Sequence, residues 1–386
     1  MKGVRRASAA HAPCAPGASA AAGALAAGNG NGGNAVGKGE TSAPSGEPVT
    51  GTGELLRDVG QGGRERPWQQ HRREAVRTSA AYARLGGEHA RRAARVRDCG
   101  SLLTFAECGA APEHPKRLEA ANFCRERLCG MCQWRRSLKL GHQVRRVTAE
   151  VERQAPGTGW LLLTLTERNS AAEALPGAVG EMLGAWERLR RRQAYGERVQ
   201  GSFRALEVTC NRERGDYHPH LHALLAVGPE YWHATYVKQA TWRTWWQAAL
   251  RVDYDPRVDV RRVRDLGDVS CEVAKYATKP GDFVSLSRPG TEENGDEQEA
   301  ESLRVGALHA ALRGRQLVAY TGTLRRAYRD LELAGEVEDI DGGDLVHVGE
   351  APAAAGKACA TCGQPMQAHE YGWRVGVTWD DGRYVG

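Results

Sequence analysis

Three histidines at every second position constrain this chain more than any other stretch does. They lie in Tyr217-His218-Pro219-His220-Leu221-His222, which continues into aliphatic residues. Because successive side chains of a β-strand point to opposite faces, His218, His220 and His222 would share one face and the apolar residues between them the other. The stretch therefore predicts a half-buried strand that carries a row of imidazoles.

A second predicted strand, residues 203–210, precedes the first, and residues 211–216 between them contain the Asn, Gly and Asp typical of a turn. If the hairpin closes symmetrically around this turn, Glu207 lies opposite His220. Imidazoles and a carboxylate form the mixed nitrogen and oxygen ligand sets of divalent cations. We therefore predict a metal site in which Glu207 joins two or three of the histidines. A lone histidine in such a strand would more often be a hydrogen-bonded, half-buried residue.

The charge of the chain is unevenly distributed. Its 386 residues are enough for two or more domains, and the formal net charge is +6. Arginines are concentrated in residues 57–97, whereas residues 292–301 are acidic. This segregation favours a polyanionic partner, although a solvated helical surface would give the same pattern.

The N-terminal sequence and the lack of a long apolar stretch indicate the cellular compartment of the protein. No apolar stretch approaches the roughly 20 residues that span a bilayer, and the Ala/Gly/Pro-rich start lacks a secretory apolar core. We therefore expect a cytoplasmic protein without a membrane partner. In that compartment, clustered cysteines are more typical of metal ligands than of disulfides.

A cysteine cluster predicts a structural zinc ion. Cys129 and Cys132 are separated by two residues, Cys124 supplies a third thiol, and Cys99 or Cys108 would supply the fourth. A redox Cys-x-x-Cys is the alternative, but no strand-to-helix context of that type surrounds the pair. Because arginines flank the thiols, the module would present cations to phosphate; they are Arg125, Arg127, Arg135 and Arg136.

A short helix is predicted over residues 268–279, with Asp268 as the N-cap and Pro280-Gly281 as the stop. Glu272, Tyr276 and Lys279 fall at i, i+4 and i+7, which places them on one face. Alone, this pattern is typical of a surface tyrosine beside a Glu/Lys pair. Beside a metal it acquires a chemical use, because a phenol attacks phosphorus only with a Lewis acid on the phosphate and a base, Glu272 or a histidine, for its proton.

Several ordered motifs resemble the replication initiators of Gram-positive and actinobacterial rolling-circle plasmids, which belong to the HUH endonuclease superfamily. The blocks that carry the resemblance, over roughly residues 95–350, are Cys99-Gly100 with Phe123-Cys124 to Arg136, Leu162 to Thr166, Leu206 to Thr209, His218 to His222, Glu272 to Tyr276, and Gly343 to His347. Gly130 departs from the family, which commonly has proline there.

The resemblance implies roles for individual residues. His220 and His222 match the paired histidines that hold a catalytic Mg²⁺ or Mn²⁺, with Glu207 as a third ligand. Tyr276 matches the nicking tyrosine, which would form a 5′-phosphotyrosine with DNA. Glu272 matches a glutamate that activates water at termination, and Lys279 is a candidate phosphate contact.

The same resemblance implies an α+β fold with a central antiparallel sheet of HUH type and helices on one face. Its partners would be the plasmid double-strand origin and the host helicase, DNA polymerase and single-strand-binding protein. A conjugative relaxase or an HUH transposase would share the chemistry, and a non-catalytic zinc-dependent DNA-binding regulator would share the zinc module.

The predicted division of the chain has six parts. They are a disordered Ala/Gly-rich tail (1–55), a basic helical and zinc-binding module (56–150), the nicking endonuclease core (151–284), an acidic flexible insert (285–305), the C-terminal part of the replication domain (306–350) and a tail (351–386). The last contains Cys359-x-x-Cys362 with His369 nearby. These are at most three ligands of a second zinc site, or else an unpaired pair of thiols.

Overall fold

The structure is a computed structural model, which describes residues 53–60, 63–266, 284, 295–339, 343–348, 358–374 and 382–386. Two predictions fall outside these ranges. One is the tail 1–55, of which only residues 53–55 are described, and the other is the helix with Glu272, Tyr276 and Lys279.

A five-stranded sheet forms the centre of the molecule, and all of its strand pairs are antiparallel. The predicted antiparallel central sheet is thus confirmed. Its strands are β3 (Gly159–Thr166), β4 (Val199–Asn211), β5 (Asp216–Val227), β6 (Val258–Arg262) and β7 (Val318–Thr321). In spatial order they are β6, β3, β5, β4 and β7.

Helices cover both faces of this sheet, so the prediction of helices on one face is wrong. The face of the sheet that carries His218, His220 and His222 is called the imidazole face. Helices α3 (Gly130–Gln154) and α8 (Gly322–Leu333) pack on it and bury Val144 and Leu324 against Leu162 and Phe203 of the sheet. On the opposite face pack α4 (Leu175–Arg190), the short α5 (Gln193–Gly196) and α6 (Gln239–Leu250). The strands are apolar on both sides because both sides are buried.

Two tryptophans of α6 are part of the hydrophobic core on the face opposite the imidazoles. Trp242 and Trp246 are fully buried. They pack with Trp186 of α4 and with Leu163 and Leu225 of the sheet. The helix begins at Gln239, and residues 229–232 before it form a separate 3-10 turn.

A second sheet joins the two ends of the chain. Its strands are β1 (Leu102–Cys108), β2 (Arg117–Ala121), β8 (Met366–Arg374) and β9 (Arg383–Val385), in the order β2, β1, β8, β9. Two helices, α1 (Trp68–Leu85) and α2 (Ala90–Asp98), pack beside it. Strand β1 pairs along its whole length with residues 366–372 of β8, so β8 belongs to the same sheet as the strands of the predicted zinc-binding module, residues 56–150.

The predicted acidic flexible insert is also corrected. Its second half, residues 295–305, is the start of helix α7 (Gly295–Leu312). Glu301 of this helix is fully buried and forms an ion pair with Arg77 of α1, which holds α7 against the helical module of residues 56–150. Within the described ranges, no helix is long and apolar enough to cross a membrane.

Candidate functional site

The β4–β5 hairpin positions the predicted metal ligands. Glu207 is the direct cross-strand partner of His220, and Asn211 pairs with Asp216 at the turn. This is the register predicted from a symmetric turn, and it is confirmed. Thr164 of β3 pairs with His222 from the other side, so three adjacent strands contribute to one patch. The side chains of Glu207, His220, His222 and Thr164 lie on the same face, because directly opposed residues of a sheet share a face.

Three of these side chains converge. Oε2 of Glu207 lies 2.7 Å from Nε2 of His220 and 3.0 Å from Nε2 of His222. The three residues are buried, with exposed fractions of 4%, 8% and 6%. Their ligand atoms lie within 4.8 Å of one another, which is a spacing that a single cation would bridge.

The hydrogen bonds behind the imidazoles show what this arrangement requires. Nδ1 of His220 lies 3.1 Å from the backbone carbonyl of His218, which only accepts, so Nδ1 carries the proton. In the neutral ring, Nε2 then presents a lone pair to the carboxylate oxygen of Glu207. Two facing acceptors need a positive charge between them, either a proton or a metal ion. The donor set therefore fits a divalent cation.

His222 is oriented by a different partner. Its Nδ1 lies 3.2 Å from Oγ1 of Thr164. A hydrogen bond to the ring nitrogen that faces away from the ligand cluster is the usual way in which a protein fixes a metal-binding histidine. The sequence did not single out Thr164, because only the pairing of β3 with β5 places it there.

His218 does not join the cluster. Its ring makes a hydrogen bond to the backbone of Glu167, and burial beside His220 lowers its pKa. The side chain instead lines a cleft of about 880 Å³ at the open end of the sheet. Of the two or three histidines predicted to join Glu207, the structure brings together His220 and His222, whereas His218 lies two residues closer to the hairpin turn.

This cleft is lined mainly by polar and charged side chains. Its lining includes Arg168, Arg214 and Arg257, and the guanidinium of Arg168 lies 3.9 Å from the centre of the Tyr254 ring. Two acids, Glu167 and Asp255, line the same cleft. Burial, reinforced by the charge of Glu181, raises the pKa of Glu167 to about 7. The cleft was not predicted, because its residues come from the end of β3 and the loop after it, the β4–β5 hairpin and the loop before β6.

A separate cluster of four thiols lies at the start of α3. It contains Cys99, Cys124, Cys129 and Cys132, whose sulfurs lie within 4.8 Å of one another. The Sγ of Cys132 is 3.5 Å from that of Cys99 and 3.7 Å from that of Cys124. Tetrahedral zinc with bonds of about 2.3 Å separates sulfurs by about 3.8 Å, so the cluster fits zinc. Of the two candidates for the fourth thiol, Cys99 is the one in this cluster.

Backbone N–H groups donate hydrogen bonds to two of these sulfurs. Those of Cys124 and Arg125 donate to Sγ of Cys99 and of Cys132, at 3.2 Å in both cases. Hydrogen bonds from Cys124 and the other thiols, with the charge of Arg136, hold the pKa of Cys132 well below its ordinary value. The arrangement is that of a metal-binding knuckle rather than of a buried apolar thiol.

The arginines around the thiols have structural partners, which corrects the prediction of phosphate contacts for Arg135 and Arg136. Both are buried, and their guanidinium groups donate to backbone carbonyls, those of Leu345 and Val346 for Arg135 and those of Arg125 and Glu126 for Arg136.

The other two flanking arginines differ from each other in exposure. Arg127 is half-buried and donates to the carbonyls of Leu312 and Arg315 at the end of α7. This is a favourable place for a cation because a helix C-terminus carries partial negative charge. Arg125 is exposed, with a positive φ of 61°.

Comparison with known proteins identifies relatives along most of the chain. Residues 115–366 match the profile of a family described as Replication protein. A protein named Protein rep from Bacillus amyloliquefaciens is 34% identical over 320 residues, which cover 77% of this chain and 90% of the relative. Another Protein rep, from Lactiplantibacillus plantarum, is 35% identical over 308 residues, with the same coverage of 77% and 90%. A Replication protein from Staphylococcus aureus is 33% identical over 220 residues, covering 54% of this chain and 88% of the relative. No solved structure gives a significant match.

Proposed function

Since the chain belongs to this family of replication proteins, we propose that it is the initiator of a rolling-circle plasmid, which nicks one strand of the double-strand origin and later rejoins it. The observation that carries the proposal is the convergence of Glu207, His220 and His222 beside a cationic cleft. A replication protein with both features has the means to bind a DNA strand and to activate one of its phosphates.

The cleft would hold the single strand near the scissile phosphate. Arg168 and Arg257 would neutralise backbone phosphates, and Tyr254, which already stacks on Arg168, offers a face on which an unpaired base can stack. His218 lies at the junction between this cleft and the metal ligands. The strand would thus pass from the cleft onto the imidazole patch.

The ligand patch would hold Mg²⁺ or Mn²⁺, and two imidazoles favour Mn²⁺. When bound, the cation would act as a Lewis acid on the phosphate oxygens. Glu207 contributes the negative charge of the ligand set. Thr164 and the carbonyl of His218 hold the imidazoles in place, so that the site needs little rearrangement for the reaction.

The nucleophile in this proposal is Tyr276, which lies outside the described residues and is assigned from its sequence context. Its phenolic oxygen forms a bond to phosphorus while the bond to the 3′-oxygen of the preceding nucleotide breaks. The phenolic proton passes to Glu272 or a histidine, and the 3′-oxygen leaves as a hydroxyl after gaining a proton. The products are a 5′-phosphotyrosine and a free 3′-hydroxyl. Lys279 would contact the phosphate, and Glu272 would later activate the water that ends the cycle.

The described residues on either side of this segment support that assignment. Leu266 packs against the core of the imidazole face, together with Val263. After the segment, the carbonyl of Val284 accepts a hydrogen bond of 2.9 Å from Arg212, which belongs to the turn of the metal-bearing hairpin. The described residues that flank the segment thus contact the core of the imidazole face at one end and the metal-bearing hairpin at the other.

The free 3′-hydroxyl would prime leading-strand synthesis by the host polymerase, with a host helicase and a single-strand-binding protein as further partners. This places the activity in the cytoplasm.

Supercoiled plasmid that carries the origin, incubated with the protein and Mn²⁺, tests the proposal. We expect nicked circles and a protein–DNA adduct that resists denaturant. Tyr276→Phe should abolish the adduct and leave duplex binding intact. Tyr236→Phe is the matched control, because Tyr236 is 57% exposed and lies outside the cleft lining. Origin binding without nicking by the wild-type protein would instead indicate a non-catalytic DNA-binding regulator.

A further inference from the structure

A second cluster of metal ligands lies at the other end of strand β1. Cys108, His114, Cys359 and Cys362 place their ligand atoms within 4.8 Å of one another. The Sγ atoms of Cys108 and Cys362 are 3.5 Å apart, and Sγ of Cys359 is 3.4 Å from Nδ1 of His114. We propose that these four residues bind a second structural zinc ion, which fastens the C-terminal β8–β9 hairpin to β1.

The distances distinguish zinc from a disulfide. A disulfide would place two sulfurs about 2.05 Å apart. Tetrahedral zinc separates two sulfurs by about 3.8 Å, and a sulfur from a nitrogen by about 3.6 Å. The observed separations are close to the zinc values. Three thiols and one imidazole complete a four-coordinate set, so the site has no open position and is of the structural type.

The fold brings the four ligands together for reasons that are local to each segment. Cys108 is the last residue of β1 and pairs with Met366, the first residue of β8. The segment that carries Cys359 and Cys362 directly precedes β8, so the start of β8 places it beside Cys108. His114 follows in the loop between β1 and β2, where its N–H bonds to the carbonyl of Ala111.

The segment with the two thiols has the backbone of a metal knuckle. The N–H of Cys359 bonds to the carbonyl of Gln364 at 2.7 Å, and the N–H of Gly363 returns to the carbonyl of Cys359 at 2.8 Å. Gly363 has φ of 73°, which a glycine adopts without strain. The backbone N–H groups of Thr361 and Cys362 point to the sulfur of Cys359, which favours a thiolate ligand.

His369, the third ligand considered for a tail site, has no part in this cluster. His369 pairs with Phe105 in the β1–β8 ladder, and Phe105 lies three residues before Cys108. The ligands that complete the site come instead from residues 245 to 254 positions earlier in the chain.

The site closes a loop that contains the whole central sheet. One zinc site lies just before β1, at Cys99, and the second lies at its last residue, Cys108. Bound zinc would therefore fix both ends of this strand. Since two of the ligands stand before the central sheet and two after it, the ion would also hold the last described residues in place.

The zinc content of the purified full-length protein, measured by mass spectrometry after dialysis, tests the proposal. Cys108→Ser and Cys359→Ser should each contain one zinc ion fewer than the wild type, and Cys359→Ser combined with Cys124→Ser should contain two fewer. Cys210→Ser is the control and should leave the content unchanged, because Cys210 belongs to neither cysteine cluster.

His114→Cys guards against variants that fail to fold. It should keep the zinc content, and in the cobalt-loaded protein it should move the d–d absorption bands to longer wavelength, as a fourth thiolate replaces an imidazole. Wild-type zinc content in both single serine variants, or a cobalt spectrum that His114→Cys leaves unchanged, would overturn the second site. Both measurements use no DNA, so their outcome is independent of the nicking activity.

Discussion

Glu207 lies directly opposite His220 across the β4–β5 hairpin, with its Oε2 2.7 Å from the imidazole Nε2. The same oxygen lies 3.0 Å from Nε2 of His222. A single buried carboxylate oxygen thus faces two imidazole nitrogens, and the backbone carbonyl behind His220 fixes the tautomer that points a lone pair inwards. This relationship is the basis for a divalent cation in the proposed function.

The hydroxyl behind His222 should matter for the metal and little for the fold. Thr164→Val keeps the shape of the side chain and removes the hydrogen bond to Nδ1. We expect the affinity for Mn²⁺ to fall by about 10- to 100-fold, as measured by titration calorimetry. Thr244→Val, on the exposed side of α6, is the control. An unchanged affinity in Thr164→Val would show that this hydroxyl does not orient the ring.

The cleft should bind DNA more weakly as the pH rises through 7. The pKa of Glu167 is about 7 because the carboxyl is buried near Glu181. Below that pH the group is neutral; above it, the group is anionic and repels phosphate. Between pH 6 and pH 8, at constant ionic strength, we expect roughly 3- to 10-fold weaker binding of single-stranded DNA.

The pH dependence of single-stranded DNA binding by Glu167→Gln, measured by fluorescence anisotropy, tests this prediction. The variant should lose most of the pH dependence and bind at pH 8 as the wild type does at pH 6. His218 also lines the cleft, but burial lowers its pKa, which moves its titration away from pH 7. Glu213→Gln, an exposed residue of the hairpin turn, should keep the wild-type dependence. If Glu167→Gln keeps it too, another group is responsible.

Loss of one partner of the buried ion pair between α1 and α7 should lower the free energy of unfolding. Arg77 and Glu301 have side-chain exposures of 8% and 1%. Glu301→Gln leaves a guanidinium in the interior without its counter-charge, so we expect the free energy of unfolding to fall by about 3–5 kcal/mol. Urea denaturation followed by circular dichroism measures it.

An exposed pair supplies the comparison. Glu88 pairs with Arg313, and both side chains are 62% exposed. Glu88→Gln should change the free energy of unfolding by less than about 1 kcal/mol. Equal losses in Glu88→Gln and Glu301→Gln would contradict the structural role of the buried pair.

Local patterns predicted the parts of the structure that depend on neighbouring residues. The alternation of histidines and the symmetric turn were enough to give the pairing of Glu207 with His220. Both follow from the period of a strand and the length of a loop. The partner of Cys108 was beyond such reasoning, because its knuckle lies about 250 residues away and only the pairing of β1 with β8 brings them together.

Burial explains the errors. Arg135 and Arg136 carry the charge of DNA contacts, but their positions on α3 turn them towards backbone carbonyls of packed segments, which the sequence does not reveal. The helices on both faces were missed for a related reason: a strand such as β3, with its apolar run Trp160 to Leu163, indicates two covered faces but not which elements cover them. Glu301 lies in an acidic run that resembled a solvated insert, yet it is fully buried.

Electron paramagnetic resonance of Mn²⁺ bound to the full-length protein, with origin nicking assayed on the same samples, tests the central claim most directly. We predict one tightly bound Mn²⁺ with couplings to imidazole nitrogen. Those couplings and the nicking should both be lost in His220→Ala and in His222→Ala. A variant that loses the nitrogen couplings but nicks origin DNA at the wild-type rate would contradict the account.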